Sequence, residues 1–137
     1  MRVLVVDDLA LHRLMAVVLM STPGAAPRYA WTGANAVLLV GASRFDLILL
    51  KAGNSCVPAM VVAADIRQAE RESLIHHRAH IVACTSVQAS FDDCLVPGSG
   101  LTGAIKSPWT VDSMSGCLER WFPQRFWRGE VREVSGR

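Results

Sequence analysis

Five polar residues of this sequence stand directly after short apolar runs, and their types could do chemistry together. Asp7 and Asp8 follow the first such run, whereas Lys51, Thr85 and Lys106 each follow a later one. Neighbouring carboxylates can bind a hard divalent cation such as Mg²⁺ through their oxygens. A lysine ammonium has only hydrogen-bond donors, so it cannot bind a metal ion but can pair with a carboxylate. Two aspartates and two lysines would give a site without net charge.

These residues can act together only if the fold brings them to one place. Short apolar runs alternate with longer segments of helical spacing, which predicts β-strands alternating with α-helices. The strands are predicted at residues 2–6, 28–31, 45–50, 80–84 and 103–105, and the helices at residues 9–20, 34–40, 58–74, 88–96 and 111–122. Such an alternation builds a parallel sheet with helices on both faces, and its ligand sites lie at the carboxyl ends of the strands. The polar residues are therefore expected at one edge of the sheet.

The strand-end residues resemble those of response-regulator receiver domains of two-component signalling, over about residues 2–122. In that family an acidic pair after the first strand binds Mg²⁺, and Asp7 and Asp8 match it. Thr85 matches the hydroxyl residue that ends the fourth strand, and Lys106 matches the lysine that ends the fifth. Lys51 stands at the end of the third strand, where the family has the aspartate that accepts the phosphoryl group. The resemblance implies an α/β fold of the flavodoxin-like (βα)5 type, with a doubly wound five-stranded parallel sheet in strand order 2-1-3-4-5.

Two further positions depart from the family pattern. The lysine that ends the fifth strand usually precedes a cis-proline, but Ser107 separates Lys106 from Pro108. The family usually has an aromatic residue three positions before this lysine, and this sequence has Gly103 there. The acceptor and the aromatic reporter of phosphorylation are thus both missing, and Lys51 can supply the positive charge that a metal ion would bring. We therefore predict a degenerate pseudo-receiver with no catalytic residue, no metal and no cofactor.

Other interpretations of the same residues stay open. The chain could be an active receiver that accepts a phosphoryl group on an atypical residue, Asp8 or Asp46, with Mg²⁺. Asp7 and Asp8 could serve only as the N-terminal cap of the first helix, since aspartate is a favoured cap. Lys51 could be an incidental surface lysine, and Thr85 could be a strand-end hydroxyl without a switching role.

Composition predicts a single globular domain, with hydrophobic residues at 51% and charged residues at 19% of the 137 residues. We place a receiver-like domain at residues 1–123 and a tail or domain boundary at residues 124–137. The net charge of +2 resides in residues 123–137, which carry four arginines and two glutamates, and this argues against a nucleic-acid-binding surface. No apolar stretch reaches the ~18 residues of a membrane span, and no signal peptide is visible. Four cysteines without a CxxC spacing are expected to be buried thiols of a reduced, cytoplasmic protein.

The resemblance also implies a role in bacterial phosphorelay signal transduction, as a protein-interaction module rather than an enzyme. The expected partner is a histidine kinase, another response regulator or a second copy of the chain. It would bind to the face formed by the fourth helix, the fifth strand and the fifth helix. Late aromatic residues are possible contacts: Trp109, Trp121, Phe126 and Trp127. The chain could act as a stand-alone adaptor or as part of a hybrid sensor kinase.

Overall fold

The computed structural model describes residues 1–7, 9–20, 22, 24–53, 55–75, 77–86 and 96–122. Three of the predicted site residues, Asp8, Phe126 and Trp127, lie outside these ranges. The side chain of Trp121 and all but the last residue of the helix predicted at residues 88–96 lie outside the description as well.

Five parallel strands form one sheet in the order β2-β1-β3-β4-β5. The strands are β1 (Arg2–Val6), β2 (Ala26–Ala30), β3 (Leu47–Gly53), β4 (His80–Thr85) and β5 (Gly103–Lys106). The described helices are α1 (Leu9–Met20), α2 (Gly33–Ala42), α3 (Val57–Glu72) and α4 (Val111–Trp121). This topology confirms the predicted doubly wound sheet. The helix expected as the fifth is α4 in this numbering, because the helix expected as the fourth lies in residues outside the description.

The sheet is buried between two apolar layers. Successive side chains of a strand point to opposite faces, and in β1 and β3 both sets are buried. Leu4 and Ile48 pack on one face in a cluster with α2 and α3, while Val5 and Leu49 pack on the other with α1 and α4. Strands that are buried on both faces need continuous apolar sequence, which is why these strands were predictable.

Strand β2 lies at one edge of the sheet, and its predicted bounds of 28–31 are wrong at both ends. The strand begins at Ala26, whose amide donates to the Met1 carbonyl oxygen at 2.8 Å. It includes Pro27, which an edge strand tolerates because the missing N–H can face away from the neighbouring strand. It ends at Ala30, so that Trp31 lies beyond it and is exposed.

Strand β3 runs three residues further than the apolar run that predicts it. The strand is predicted to end at residue 50, but Lys51 pairs with Cys84 and Gly53 pairs with Thr85 on β4. The register shifts between Lys51 and Gly53, and Gly53 has a φ of 72°. The Ser86 amide then donates to the Gly53 carbonyl oxygen at 2.8 Å. Backbone pairing with β4 therefore extends the strand, and it holds Lys51 inside the sheet rather than in a loop.

Side-chain caps set the starts of two helices. The Thr32 hydroxyl accepts from the Asn35 amide at 3.1 Å at the start of α2. Thr110 and Ser113 form a reciprocal capping box at the start of α4, with hydrogen bonds of 2.9 and 3.0 Å. This box begins α4 two residues after Trp109, close to the end of β5. None of the described helices is both long enough and apolar enough to cross a membrane.

The cysteines differ from the expectation that all of them are thiols. Cys84 is a fully buried free thiol, and Cys117 is a half-buried one, whose pKa is raised by burial against a smaller opposing effect of Arg120. Cys56, however, is disulfide-bonded. The expectation is therefore wrong for Cys56, and the cysteines no longer support a reduced setting. Cys94 lies outside the described residues.

Candidate functional site

Parallel pairing gathers the predicted strand-end residues at the carboxyl edge of the sheet. Val6 is paired with Leu50, so Asp7 follows β1 at the level of Lys51 on the neighbouring strand. Thr85 is paired with Lys106 across β4 and β5. Adjacent strands are ~4.8 Å apart, so these four positions lie within a few strand spacings of one another.

Asp7 occupies an unusual backbone conformation at this edge. Its φ is 82°, the one positive φ outside glycine among the described residues. Asparagine and aspartate adopt this left-handed region more readily than other residues, but it still costs roughly 1–2 kcal/mol. The Asp7 amide donates to the Ala30 carbonyl oxygen at 2.7 Å, which holds the turn after β1 to the end of β2. The side chain is exposed, so the carboxylate stands at the surface of the edge.

Lys51 is half-buried and lies against an aromatic ring. Its Nζ is 6.0 Å from the centroid of the Trp109 ring, the outer limit of a cation–π contact. Trp109 packs on the cluster formed with α1 and α4, and its Nε1 donates to the Ile105 carbonyl oxygen at 3.3 Å. The ring is thus held from two sides. Sequence reasoning places Trp109 among interface candidates and misses this contact, although its position just after β5 is a signal for it.

The side chains of the two lysines at this edge belong to opposite faces of the sheet. Lys51 has the parity of Leu49, which packs toward α1 and α4. Lys106 follows Ile105, which packs on that same face, so alternation turns Lys106 toward the other side. The Ser107 amide continues the ladder by donating to the Thr85 carbonyl oxygen at 2.8 Å. Ser107, not Lys106, therefore has the parity of Lys51.

The peptide bond between Ser107 and Pro108 is cis. Ser107 is thus the residue that directly precedes the cis-proline, the place that the receiver pattern gives to lysine. Three positions before Ser107 is Ala104, and three positions before Lys106 is Gly103. Neither position holds an aromatic residue.

Thr85 is completely buried at the end of β4. Its Oγ1 donates to the Ile105 carbonyl oxygen at 3.3 Å, which ties β4 to β5. A hydroxyl that is enclosed and engaged in this way has a local structural role, and this contact favours the interpretation of Thr85 as a strand-end hydroxyl.

Asp46, an alternative phosphoryl acceptor, lies at the opposite edge. It directly precedes β3, five residues and roughly 16 Å along the strand from Lys51. Its Oδ2 accepts from the Arg2 amide at 2.8 Å, and its Oδ1 lies 3.4 Å from Arg44 and 3.6 Å from His77. Burial alone would raise the pKa of this carboxyl, but the Arg2 amide and the nearby positive charges lower it below its ordinary value. Asp46 belongs to an ion network of the amino edge and not to the Lys51 site.

Lys51 distinguishes this edge from the Mg²⁺ site of the receiver pattern, because an ammonium stands where that pattern has a carboxylate. Of the acidic pair after β1, the structure describes Asp7, whereas Asp8 lies outside the described residues. Across the described ranges, no three His, Cys, Asp or Glu side chains gather as a set of metal ligands.

Comparison with known proteins identifies the fold. No family model matches the sequence, and no curated protein matches it either. Among solved structures, Vibrio cholerae chemotaxis protein CheY4 matches with a TM-score of 0.68 and 18% identity, over 88% of this chain and 98% of that one. The Saccharomyces cerevisiae complex of the phosphotransfer protein Ypd1 with the receiver domain of Ssk1 matches with a TM-score of 0.71 and 19% identity, over 90% of each chain.

A third match is the receiver domain of the sensor histidine kinase PA1611 from Pseudomonas aeruginosa, solved with magnesium in its active-site cleft. Its TM-score is 0.63 and its identity 22%, over 88% of this chain and 95% of that one. At these identities the likeness shows the receiver fold alone.

Proposed function

We propose that this chain, whose fold is that of response-regulator receiver domains, is a phosphorylation-independent receiver that binds a signalling protein. The observation that carries the proposal is Lys51 at the carboxyl end of β3, level with Asp7 and in contact with the Trp109 ring. A protonated lysine has no lone pair for attack on a phosphoryl group, and it repels a divalent cation. Both parts of receiver chemistry, the nucleophile and the metal, are therefore opposed by one residue.

Electrostatics supports a structural use of the ammonium. The positive charge of Lys51 lies level with the negative charge of Asp7 on the neighbouring strand, and opposite charges at a partly buried edge attract each other more strongly than in water. A metal ion in a receiver relieves the repulsion among carboxylates, and Lys51 can relieve it permanently.

The surroundings of Lys51 also lack the parts that would report phosphorylation. Thr85 is enclosed and bonded to the Ile105 carbonyl, and the candidate switch positions hold Gly103 and Ala104. A receiver with these residues has no aromatic side chain at the switch positions to move in response to a phosphoryl group. We infer that its binding surface is held in one conformation.

The partner that suits this fold is a signalling protein: a histidine kinase or phosphotransfer protein, another response regulator or a second copy. The binding face that we propose comprises β5, α4 and the segment predicted as a helix at residues 88–96. Val111 is an exposed apolar residue on this face, and Trp121, Phe126 and Trp127 remain candidate contacts. A cytoplasmic location, a domain over residues 1–123 and a tail over residues 124–137 belong to the same proposal.

Phosphorylation in vitro tests the proposal directly. The protein is incubated with a small acyl phosphate and Mg²⁺, and intact mass is measured beside the Lys51→Asp variant. We expect no phosphoryl adduct on the natural chain and no Mg²⁺ binding in the millimolar range or tighter.

One stoichiometric adduct on the natural chain, mapped to the carboxyl edge and lost in Asp8→Asn, would overturn the proposal in favour of an active receiver. The Lys51→Asp variant serves as the matched comparison, because it restores the carboxylate that the receiver pattern has at this position.

A further inference from the structure

A second cluster of charges lies at the amino edge of the sheet, away from Lys51. There a cleft of about 410 Å³ opens between α3 and the loop that leads into β5. Three arginines line it together with an apolar wall: Arg67, Arg71, Arg78, Val96, Pro97 and Leu101. Among the residues that the structure describes, no acidic side chain lines this cleft.

Arg67 forms the floor of the cleft and is fully engaged. It is only 4% exposed, and its Nη1 donates to Glu70 Oε1 at 2.7 Å. Its Nε and Nη2 both donate to the Gly100 carbonyl oxygen, at 3.1 and 3.0 Å. The other oxygen of Glu70 accepts from the Ala79 amide at 2.8 Å. Arg67 and Glu70 neutralise each other and join α3 to the loops on either side of β4.

Glycine lets the loop approach α3 this closely. Gly100 has a φ of 88°, and a Cβ at this position would lie 3.3 Å from the Ala63 side chain and 3.4 Å from that of Arg67. The loop therefore packs on α3 with its backbone, and the Gly100 carbonyl reaches the guanidinium of Arg67. This contact makes the cleft a defined part of the fold.

Arg71 and Arg78 leave two positive charges at the rim. Both are exposed, and Arg71 donates to a neutral acceptor, Gln68 Oε1, at 2.6 Å. Arg78 makes no hydrogen bond or ion pair with any other residue of the described ranges. Burial lowers the pKa of Arg67, Glu70 opposes that effect, and the charge of Arg78 lowers it further. An anion bound beside Arg78 would offset the repulsion between Arg78 and Arg67.

We propose that this cleft binds a small phosphorylated organic molecule. Guanidinium groups bind phosphate oxygens through paired, charge-assisted hydrogen bonds, which assigns Arg71 and Arg78 to the phosphate. The cleft volume falls in the ~300–1,000 Å³ range of small-molecule sites and exceeds what a lone phosphate needs. Val96, Pro97 and Leu101 then face the organic part of the ligand. The chain's own residues 123–137 carry four arginines against two glutamates, so charge disfavours them as the occupant.

The test is a titration followed by amide NMR at constant ionic strength, with uridine monophosphate, inorganic phosphate and uridine as probes. We expect saturable shifts with the nucleotide, centred on α3 and residues 96–101. Arg71→Ala and Arg78→Ala should each weaken binding about tenfold or more, as expected for the loss of a hydrogen bond to a charged group. Arg13→Ala on α1 is the matched control and should leave binding unchanged, because Arg13 is equally exposed and lies on another face.

Three results would overturn the assignment. One is the absence of saturable shifts with the nucleotide, and another is equal weakening by Arg13→Ala. The third is inorganic phosphate binding as tightly as the nucleotide, which would exclude an organic ligand. Because Arg78 is exposed and makes no hydrogen bond in the described structure, Arg78→Ala should retain the native amide spectrum, so that a loss of binding reports the site. The outcome does not depend on whether Lys51 prevents phosphorylation at the other edge.

Discussion

The two edges of the sheet use charged residues in opposite ways. At the amino edge, Asp46 and the pair of Arg67 and Glu70 each have several partners within 4 Å. At the carboxyl edge, Asp7 is exposed on a left-handed backbone, and Lys51 lies at the outer limit of contact with an aromatic ring. The contrast teaches that charge buried among partners joins elements of the fold, whereas an exposed charge such as that of Asp7 faces the surroundings of the molecule.

Stability should therefore depend strongly on the amino edge. Arg67→Ala removes one partner of a buried ion pair and leaves Glu70 and the Gly100 carbonyl without it. Breaking such a pair typically costs ~3–5 kcal/mol of unfolding free energy. Urea unfolding at neutral pH measures this loss through the midpoint and slope of the transition.

Arg71→Ala is the control for that measurement, because Arg71 is an exposed arginine one helical turn further along α3. Its cost should stay within ~0.5 kcal/mol. If Arg67→Ala and Arg71→Ala lower the free energy of unfolding equally, the distinction between the buried, paired arginine and the exposed one would fail.

A smaller effect, dependent on pH, is expected at Asp46. Its pKa is lowered in the folded chain, so the unfolded chain binds more protons as the pH falls. The ionised carboxylate therefore stabilises the fold above its ordinary pKa, and this contribution is lost as the pH falls through the folded value. Asp46→Asn should cost about 1 kcal/mol at neutral pH, and its difference from the natural chain should shrink below pH ~4. A difference that grows in acid would contradict this sign; urea unfolding at several pH values decides it.

The smallest effect is expected at the carboxyl edge. Lys51→Met removes the charge but keeps an apolar stem beside Trp109, so the cation–π contact is lost, at a cost of ~0.5–1 kcal/mol. Thermal or urea unfolding can be compared with Lys106→Met, an exposed lysine two strands away, which should change stability even less. A cost above ~2 kcal/mol for Lys51→Met would place this lysine in the same class as Arg67 and remove the contrast between the edges.

The fold could be predicted from the sequence because strands that are buried on both faces have continuous apolar sequence. Continuous apolar runs gave β1 and the middle of β3, and helical spacing gave α1 with its observed bounds. Strand β2 was displaced because an exposed edge strand has no apolar pattern, and the end of β3 was missed because backbone pairing, not hydrophobicity, extends it.

The candidate site was predictable to a different degree at each residue. Order along the chain was enough to place Asp7, Lys51, Thr85 and Lys106 at one edge. Order along the chain does not show that the side chains of Lys106 and Lys51 belong to opposite faces of the sheet, because that depends on the register of strand pairing. Contacts such as Lys51 with Trp109 join residues far apart in sequence, and no local pattern encodes them.

The backbone groups that β2 exposes at the edge of the sheet limit how a second copy of the chain can bind. The Ala26 amide donates to the Met1 carbonyl just before β1, and the Ala30 carbonyl accepts from the Asp7 amide just beyond β1. Because alternate residues of a strand point their backbone groups to opposite sides, residues 27 and 29 turn theirs away from β1. Pro27 has no N–H to offer there, which leaves Tyr29 as the one outward donor of a five-residue strand. A sixth strand would find almost no ladder to join, so growth of the sheet into fibres stops at this border. A second copy of the chain is therefore not expected to pair with the first through β2.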